Sequence, residues 1–381
     1  MEFDAYCPTR VLFGPGRLQN VGSIVPSDSR SVLVLSSPTA AERSGALDTI
    51  KAALSTRKRL GFAYNNGISP NPKVRELDLA AKHAVEARAD VIIAVGGGSV
   101  IDAGKVVALA AKNDSSCADL LNAGIKEIDP VFLIAVPTTA GTGSEISKGA
   151  IITDDVTGWK GGVRGDNVFP AVAIVDPTLL ASVPRLVARE TGFDIFTHAF
   201  ESLVSKARTP LTMMYSREIL QRVIPGLVEL ADSRVTPAVQ EELALCSMMA
   251  GYNLANSSTC LPHRLQYPVG AATDTSHAAG LAALYPAWCR ETSSSSPEEF
   301  DFVNQLIAQA LGEVYSGFSN TATMEIMIKF LERLEIRRSL TDLGLDRKDC
   351  DRLVEQVSGN LALDPGYVCT KTTDIIYRES F

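Results

Sequence analysis

The sequence predicts two domains: an α/β domain over residues 1–185 built on a parallel sheet, then an all-helical domain over residues 186–381. Three observations carry this expectation. Continuous apolar runs recur through the first half, and strands buried on both faces read this way. Segments of helical periodicity separate them, as crossover connections do. Beyond about residue 185 the β-rich runs stop and helical periodicity takes over. At 381 residues the chain is also long for a single core.

Taken in order, "SVLVLSS" (31–37) reads as a buried strand and "VRELDLAAKHAVEARA" (74–89) as a helix. "DVIIAVGGG" (90–98) is a second strand, "VIDAGKVVALAAK" (100–112) a helix, and "VFLIAVPTT" (131–139) a third strand; "AVAIVDP" (171–177) closes this half. The second half carries the helical segments "IFTHAFESLVSKA", "EELALCSMMAGYNLAN", "EEFDFVNQLIAQALGEVY" and "ATMEIMIKFLERLEI". "TSSSSPEEF" (292–300) reads as a surface loop leading into a helix, with Ser296 as cap and Pro297 in the first turn. His83, mid-helix among charged residues, reads as a solvated surface histidine.

A chain that is 46% hydrophobic and 21% charged is globular. Its net charge of −8 and pI near 5.2 argue against broad phosphate-backbone contacts with nucleic acid. No apolar run is long enough to span a bilayer. The opening "MEFDAYCPTRVLFG" lacks the basic-then-apolar layout of a secretion signal, so a soluble, cytoplasmic protein is expected. The seven cysteines are scattered with no CxxC pair and read as reduced thiols. Cys260, three residues before His263, has no second cysteine beside it with which to build a thiolate metal site.

Two glycine-rich turns carry the first chemical signal. In "VIIAVGGGSVIDAGK" a strand meets a helix through Gly96, Gly97 and Gly98, which admit positive φ and close approach of a ligand. Ser99 is placed to cap the helix and Asp102 to reach back to it. The free amides and the helix dipole suit a pyrophosphate, though a plain strand-to-helix connection uses the same residues. "VPTTAGTGSE" (136–145) repeats the arrangement, with hydroxyls on Thr138, Thr139 and Thr142 and accessible backbone at Gly141 and Gly143. Two such turns at the carboxyl ends of neighbouring parallel strands mark a dinucleotide-binding domain.

The second signal is a set of histidines. Asp194 and His198 in "GFDIFTHAFE" stand four apart, on one helix face. His263 and His277 follow in "PHRLQYPVGAATDTSHAAG". One carboxylate with three imidazoles suits Fe²⁺ or Zn²⁺, whereas the aspartate–histidine pair alone reads equally well as a helix-surface hydrogen bond.

Together, "GFDIFTHAFES" with His263 and His277, "GGGSVIDAGK", "PTTAGTGSE", "AIVDPTLLASVP" and the opening "RVLFGPGRL" resemble the iron-containing (group III, metal-dependent) alcohol dehydrogenase family, essentially from end to end. The resemblance implies the dehydroquinate synthase-like fold, with a nucleotide-binding N-terminal domain, a helical metal-binding and substrate domain, and a metal at the cleft between them. The family's ligands fall on Asp194, His198, His263 and His277. Cofactor contacts are expected at Ser37, Gly97, Gly98, Ser99, Asp102, Thr138, Thr139, Thr142 and Lys160, the last matching a lysine recurrent in the family.

Two departures stand out. Many members carry a second histidine four residues after the first of the later pair; here Tyr267 stands one helical turn from His263, either as a proton donor or as a space-filling side chain. Many NAD-using members carry an aspartate at the end of the first strand; here Ser37 occupies that position. Its lack of charge, with Arg43 downstream, favours NADPH over NADH.

The resemblance and the residues converge on NAD(P)H-linked hydride transfer to a metal-polarised carbonyl. Lys148, near the substrate pocket in the family, and Arg264, next to a metal ligand, favour a small anionic aldehyde such as phosphonoacetaldehyde or a semialdehyde, unless these side chains face solvent. The rival readings are a maleylacetate reductase-like enzyme, a dehydroquinate synthase-like lyase and a non-catalytic binding module. A homodimer or larger homo-oligomer with a small-molecule substrate, and no nucleic-acid or membrane partner, completes the expectation.

Overall fold

A computed structural model describes residues 2–113, 115–123, 128–232, 236–315 and 317–381. Packing divides the chain into two compact units: Tyr6–Pro184 with Thr236–Ala255, and Met1–Ala5 with Arg185–Val235 and Asn256–Phe381.

The first unit holds eight strands among its described residues: β1 (Arg10–Phe13), β2 (Ser31–Ser36), β3 (Gly61–Asn65), β4 (Val91–Gly96), β5 (Phe132–Pro137), β6 (Gly149–Thr153), β7 (Lys160–Arg164) and β8 (Val172–Val175). Its helices are α1 (Val21–Ile24), α2 (Ala40–Arg43), α3 (Ala46–Leu54), α4 (Val74–Glu86), α5 (Gly98–Asn113) and α6 (Cys117–Ala123). Six strands form a parallel sheet in the order β1-β8-β5-β4-β2-β3, and β6 pairs antiparallel with β7.

Strand β4 shows why its sequence is apolar throughout. It lies between β2 and β5, with Ile92 opposite Leu33 and Leu133. Ile92 and Ala94 point into a core with Leu77, Ala80 and Val106 from α4 and α5. Val91, Ile93 and Val95 point the other way, onto Val21, Ala46 and Ile50 from α1 and α3. With both faces covered, no position is left for a polar side chain. Strands β1 and β3 and the β6–β7 hairpin fall outside the expected strands. β3 carries only partly buried or exposed residues at the sheet edge, so it lacks the continuous apolar signal.

The second unit is helical: α7 (Arg185–Val204), α8 (Pro210–Asp232), α10 (Leu261–Thr273), α11 (His277–Thr292), α12 (Pro297–Leu311), α13 (Asn320–Arg333), α14 (Cys350–Glu355) and α15 (Thr370–Glu379). The intervening helix α9 (Pro237–Ser257) contributes Pro237–Ala255 to the sheet unit. From Phe193 to Val204, α7 is buried on every side. One face carries Phe193, Phe196 and Phe200, whose rings pack on Tyr285, Trp288, Phe300 and Phe330 at centroid separations of 4.8–6.4 Å. The other carries Asp194, His198 and Glu201, spaced so that all three share a side.

The segment 292–300 departs from its expectation. Ser293–Ser295 form a 3₁₀ turn that continues α11; Thr292, Ser293 and Ser296 are buried. Ser296 does precede α12 and Pro297 is its first residue, but no side-chain cap bond forms.

Candidate active site

In the sheet unit, β4 ends at Gly96 and α5 begins at Gly98. The amides of Val100 and Ile101 both bond to the carbonyl of Gly97, which therefore holds the cap position expected of Ser99. The expected positive φ is also absent from Gly96, Gly97 and Gly98. Their missing side chains serve close packing instead. A Cβ on Gly97 would lie 3.0 Å from Thr139 Oγ1, and one on Gly98 would lie 2.5 Å from Thr142 Cγ2. The glycines thus let the second predicted turn seat itself directly on the first, which brings Gly97, Gly98, Ser99, Thr138, Thr139 and Thr142 together. Thr138 is buried and its amide bonds to the carbonyl of Gly96 at 2.9 Å, while Thr139 and Thr142 stay partly open.

Helix α9 holds this second turn from behind. Ser247 Oγ accepts from the amide of Gly141 at 2.9 Å. Gly143, at φ +59°, meets Gly251 so closely that a Cβ would approach the backbone of Gly251 to 2.4 Å. That φ favours glycine, and here the contact demands it as well.

Asp102 does not reach back to the helix start. It takes a hydrogen bond from Ser144 Oγ, another from the amide of Ile151 at 2.8 Å, and lies 3.6 Å from Lys105 Nζ. Lys105 is fully buried, and its ammonium donates to Ser144 Oγ, Ser147 Oγ and the carbonyl of Gly149 at 2.8, 3.2 and 2.7 Å. Burial pulls its pKa down to about 8 against the pull of Asp102 and Glu145. Burial raises Asp102, and it pushes Glu145 up to about 7.

The remaining predicted residues of this unit are spread out. Ser37 follows β2 at the carboxyl edge of the sheet, and Arg43 donates to the carbonyl of Ser182 at 3.2 Å. Lys160, at the start of β7, donates to Asn71 Oδ1 at 2.7 Å. Lys148 is half-buried just before β6.

In the helical unit, Asp194 Oδ1 lies 3.6 Å from His263 Nε2, 3.6 Å from His277 Nε2 and 3.8 Å from His198 Nδ1. The ligand atoms of Asp194, His263 and His277 all lie within 4.8 Å of one another. The His198 ring flanks them, its centroid 4.5 Å from that of His263. These separations are too long for hydrogen bonds. They are near the ~3.4 Å that separates ligands on a tetrahedral ion with bonds of about 2.1 Å. Asp194 Oδ1 and His263 Nε2 are buried and have no hydrogen-bond partner. Buried polar atoms are rarely left so, and a shared cation satisfies both. The donor set, one carboxylate oxygen and imidazole nitrogens, fits a borderline-hard divalent metal.

Two side chains absent from the expected set orient these donors. Glu201 Oε1 accepts from His263 Nδ1 at 2.7 Å, and Gln266 Oε1 accepts from His277 Nδ1 at 2.6 Å. With Nδ1 donating, each imidazole keeps its Nε2 lone pair for the cluster. Glu201 is wholly buried and also accepts from the amide of Cys260 at 2.7 Å and from Tyr285 Oη at 3.2 Å. Gly280 leaves room for Gln266, because a Cβ there would come within 2.8 Å of Gln266 Cγ. A sequence signal exists for both: Glu201 stands three after His198, and Gln266 three after His263.

The electrostatics follow from this shell. Burial works against the ionised Asp194, but the imidazoles of His198, His277 and His263 outweigh it and hold the carboxyl well below its usual range. Burial likewise opposes a charge on His263, yet Glu201 and Asp194 raise its pKa to about 10. The cluster is a trap for positive charge, proton or metal. His277 is its most open member, its side chain 31% exposed against 4–5% for the other three. Tyr267 is half-buried one turn from His263 on α10. Arg264 is turned to Ser258 Oγ, 2.9 Å from its Nη2, and packs over Gly359. Burial raises the Cys260 thiol well above its usual pKa, and its sulfur lies against the carbonyl of Glu201 at 3.3 Å.

Comparison with known proteins agrees with this architecture. The model of the iron-containing alcohol dehydrogenase matches residues 8–177, and that of the C-terminal part of the Fe-containing alcohol dehydrogenase family matches residues 188–377. The chain is 30% identical over 375 residues to the probable NADH-dependent butanol dehydrogenase 1 of Bacillus subtilis, which covers 94% of each protein. It superposes on the crystal structure of 1,3-propanediol oxidoreductase with a TM-score of 0.91 at 25% identity, covering all of both chains. The sulfoacetaldehyde reductase of Bifidobacterium kashiwanohense, solved with NAD⁺, gives a TM-score of 0.86 at 25% identity over 100% of this chain and 98% of that one. Among the described residues no helix is long and apolar enough to cross a membrane. The chain belongs to the iron-containing alcohol dehydrogenase family, oxidoreductases that act on CH–OH groups.

Proposed function

We propose that this protein is a metal-dependent, NAD(P)H-linked aldehyde reductase and alcohol dehydrogenase whose substrate is a small anionic aldehyde. The observation that carries the metal dependence is the buried Asp194 Oδ1, without a hydrogen-bond partner and faced by three imidazole nitrogens at 3.6–3.8 Å. Asp194, His198, His263 and His277 would hold the ion. A divalent metal there supplies Lewis-acid polarisation of a carbonyl, and a nicotinamide supplies the hydride.

The protein's own residues would do the rest. Gly97, Gly98 and Ser99 stand at the start of α5, at the positive end of its dipole, the surroundings a pyrophosphate takes. Thr138, Thr139 and Thr142 offer hydroxyls beside them, with Asp102 behind as a brace. Ser37 at the end of β2 and Lys160 on β7 complete the cofactor contacts. Ser37 places no carboxylate against a ribose 2′-phosphate, which favours NADPH. Tyr267 would give the proton that balances hydride addition, its hydroxyl carried one turn beyond His263. His277, the most open ligand, marks the side from which substrate arrives.

Lys148 would anchor the anionic end of the substrate. The likeness to a sulfoacetaldehyde reductase supports this class, since sulfoacetaldehyde carries its charge next to the carbonyl. The test is turnover of NADPH and NADH across paired anionic and neutral aldehydes, with Lys148→Ala beside the native protein. A charged hydrogen bond of about 1.5–3 kcal/mol predicts a loss in kcat/KM of roughly 10–150-fold for anionic aldehydes only. An unchanged profile in Lys148→Ala sinks the anionic-substrate reading and leaves the reductase standing.

A further inference from the structure

Glu201 Oε1 lies 2.7 Å from His263 Nδ1, a buried carboxylate set behind one imidazole of the cluster. It sits on α7, two turns beyond Asp194, wholly enclosed by protein. The fold has spent three donors on it: the amide of Cys260 at the start of α10, Tyr285 Oη from α11, and His263 Nδ1. A buried carboxylate is costly unless its charge is matched. Gln266, which does the equivalent task for His277, is neutral.

We infer that Glu201 is a positioning residue that fixes His263 with its Nε2 lone pair inward and, as a carboxylate rather than an amide, strengthens that nitrogen as a donor to a divalent cation. Carboxylate partners of metal-bound histidines typically contribute 10–100-fold in metal affinity. This inference rests on the metal-dependent reading above.

The experiment titrates metal-free protein with Co²⁺ against a competing chelator, comparing the native chain with Glu201→Gln, and records the visible Co²⁺ absorption bands. Glu201→Gln is expected to bind Co²⁺ 10–100-fold more weakly with shifted bands, while the circular dichroism of the metal-free protein shows that it still folds. Equal affinity within twofold overturns the inference and leaves the metal-dependent reading intact. A native protein that binds no Co²⁺ overturns that reading, and the inference with it. Should Glu201→Gln fail to fold, Glu201→Asp decides: it keeps the charge but withdraws the oxygen from His263 Nδ1. A severalfold loss there supports the positioning role, and none overturns it.

Discussion

The glycine turn of the sheet unit and the histidine cluster of the helical unit solve opposite problems. The turn gathers backbone amides and hydroxyls, and its precision comes from the absence of side chains: Gly97 and Gly98 let Thr139 and Thr142 sit directly against them. The cluster gathers side chains from three helices and must keep charges dry, so its precision comes from a second layer, Glu201 and Gln266. Adding atoms should break the first, whereas removing or neutralising them should break the second.

The largest effect should come from the cluster. Asp194→Ala removes the oxygen on which three imidazoles converge. If metal polarisation supplies several kcal/mol to the transition state, kcat falls by at least about a thousandfold, with metal content lost in parallel. Retained activity with unchanged metal would place the chemistry elsewhere.

Gly98→Ala probes the turn. The new Cβ would lie 2.5–2.6 Å from Thr142 Cγ2 and Oγ1, so the threonine must give way. Overpacking of this kind costs about 1–3 kcal/mol, and here it displaces a threonine proposed to touch the cofactor. A rise in cofactor Kd of about tenfold, read by nicotinamide fluorescence, is expected with metal content untouched. A loss of metal instead would erase the contrast between the sites.

The smallest effect sharpens the comparison, because the sheet unit also buries charge behind its turn. Glu145 is buried and its pKa is raised from 4.5 to about 7. A raised carboxyl contributes stability that is complete below pH 4.5 and lost as pH climbs through about 7. The span corresponds to at most about 3 kcal/mol. Thermal melting between pH 4.5 and 8 should therefore show a steeper decline for the native protein than for Glu145→Gln. Parallel curves would mean that Lys105 already neutralises Glu145 across that range.

How much of this was legible in sequence differs between the two regions for physical reasons. Strands β2, β4, β5 and β8 announce themselves because burial on both faces leaves mostly apolar residues, whereas β3 at the sheet edge carries no such mark. The glycines were visible, but their conformation was not: their role depends on Thr139 and Thr142, and that of Gly143 on Gly251 in α9, far along the chain. Asp194 and His198 show themselves by helical spacing. Glu201 continues the same face, yet a glutamate on a helix reads as solvated until its burial is known. Arg264 illustrates the converse: adjacency to His263 suggested the substrate, but a helix turns neighbours apart, and its guanidinium is directed at Ser258.

The most direct test of the central claim is elemental analysis of the protein purified without oxygen, native beside Asp194→Ala. The account predicts about one iron or zinc per native chain and close to none in the variant. A native protein free of metal, yet still reducing aldehydes with NADPH or NADH, would contradict it.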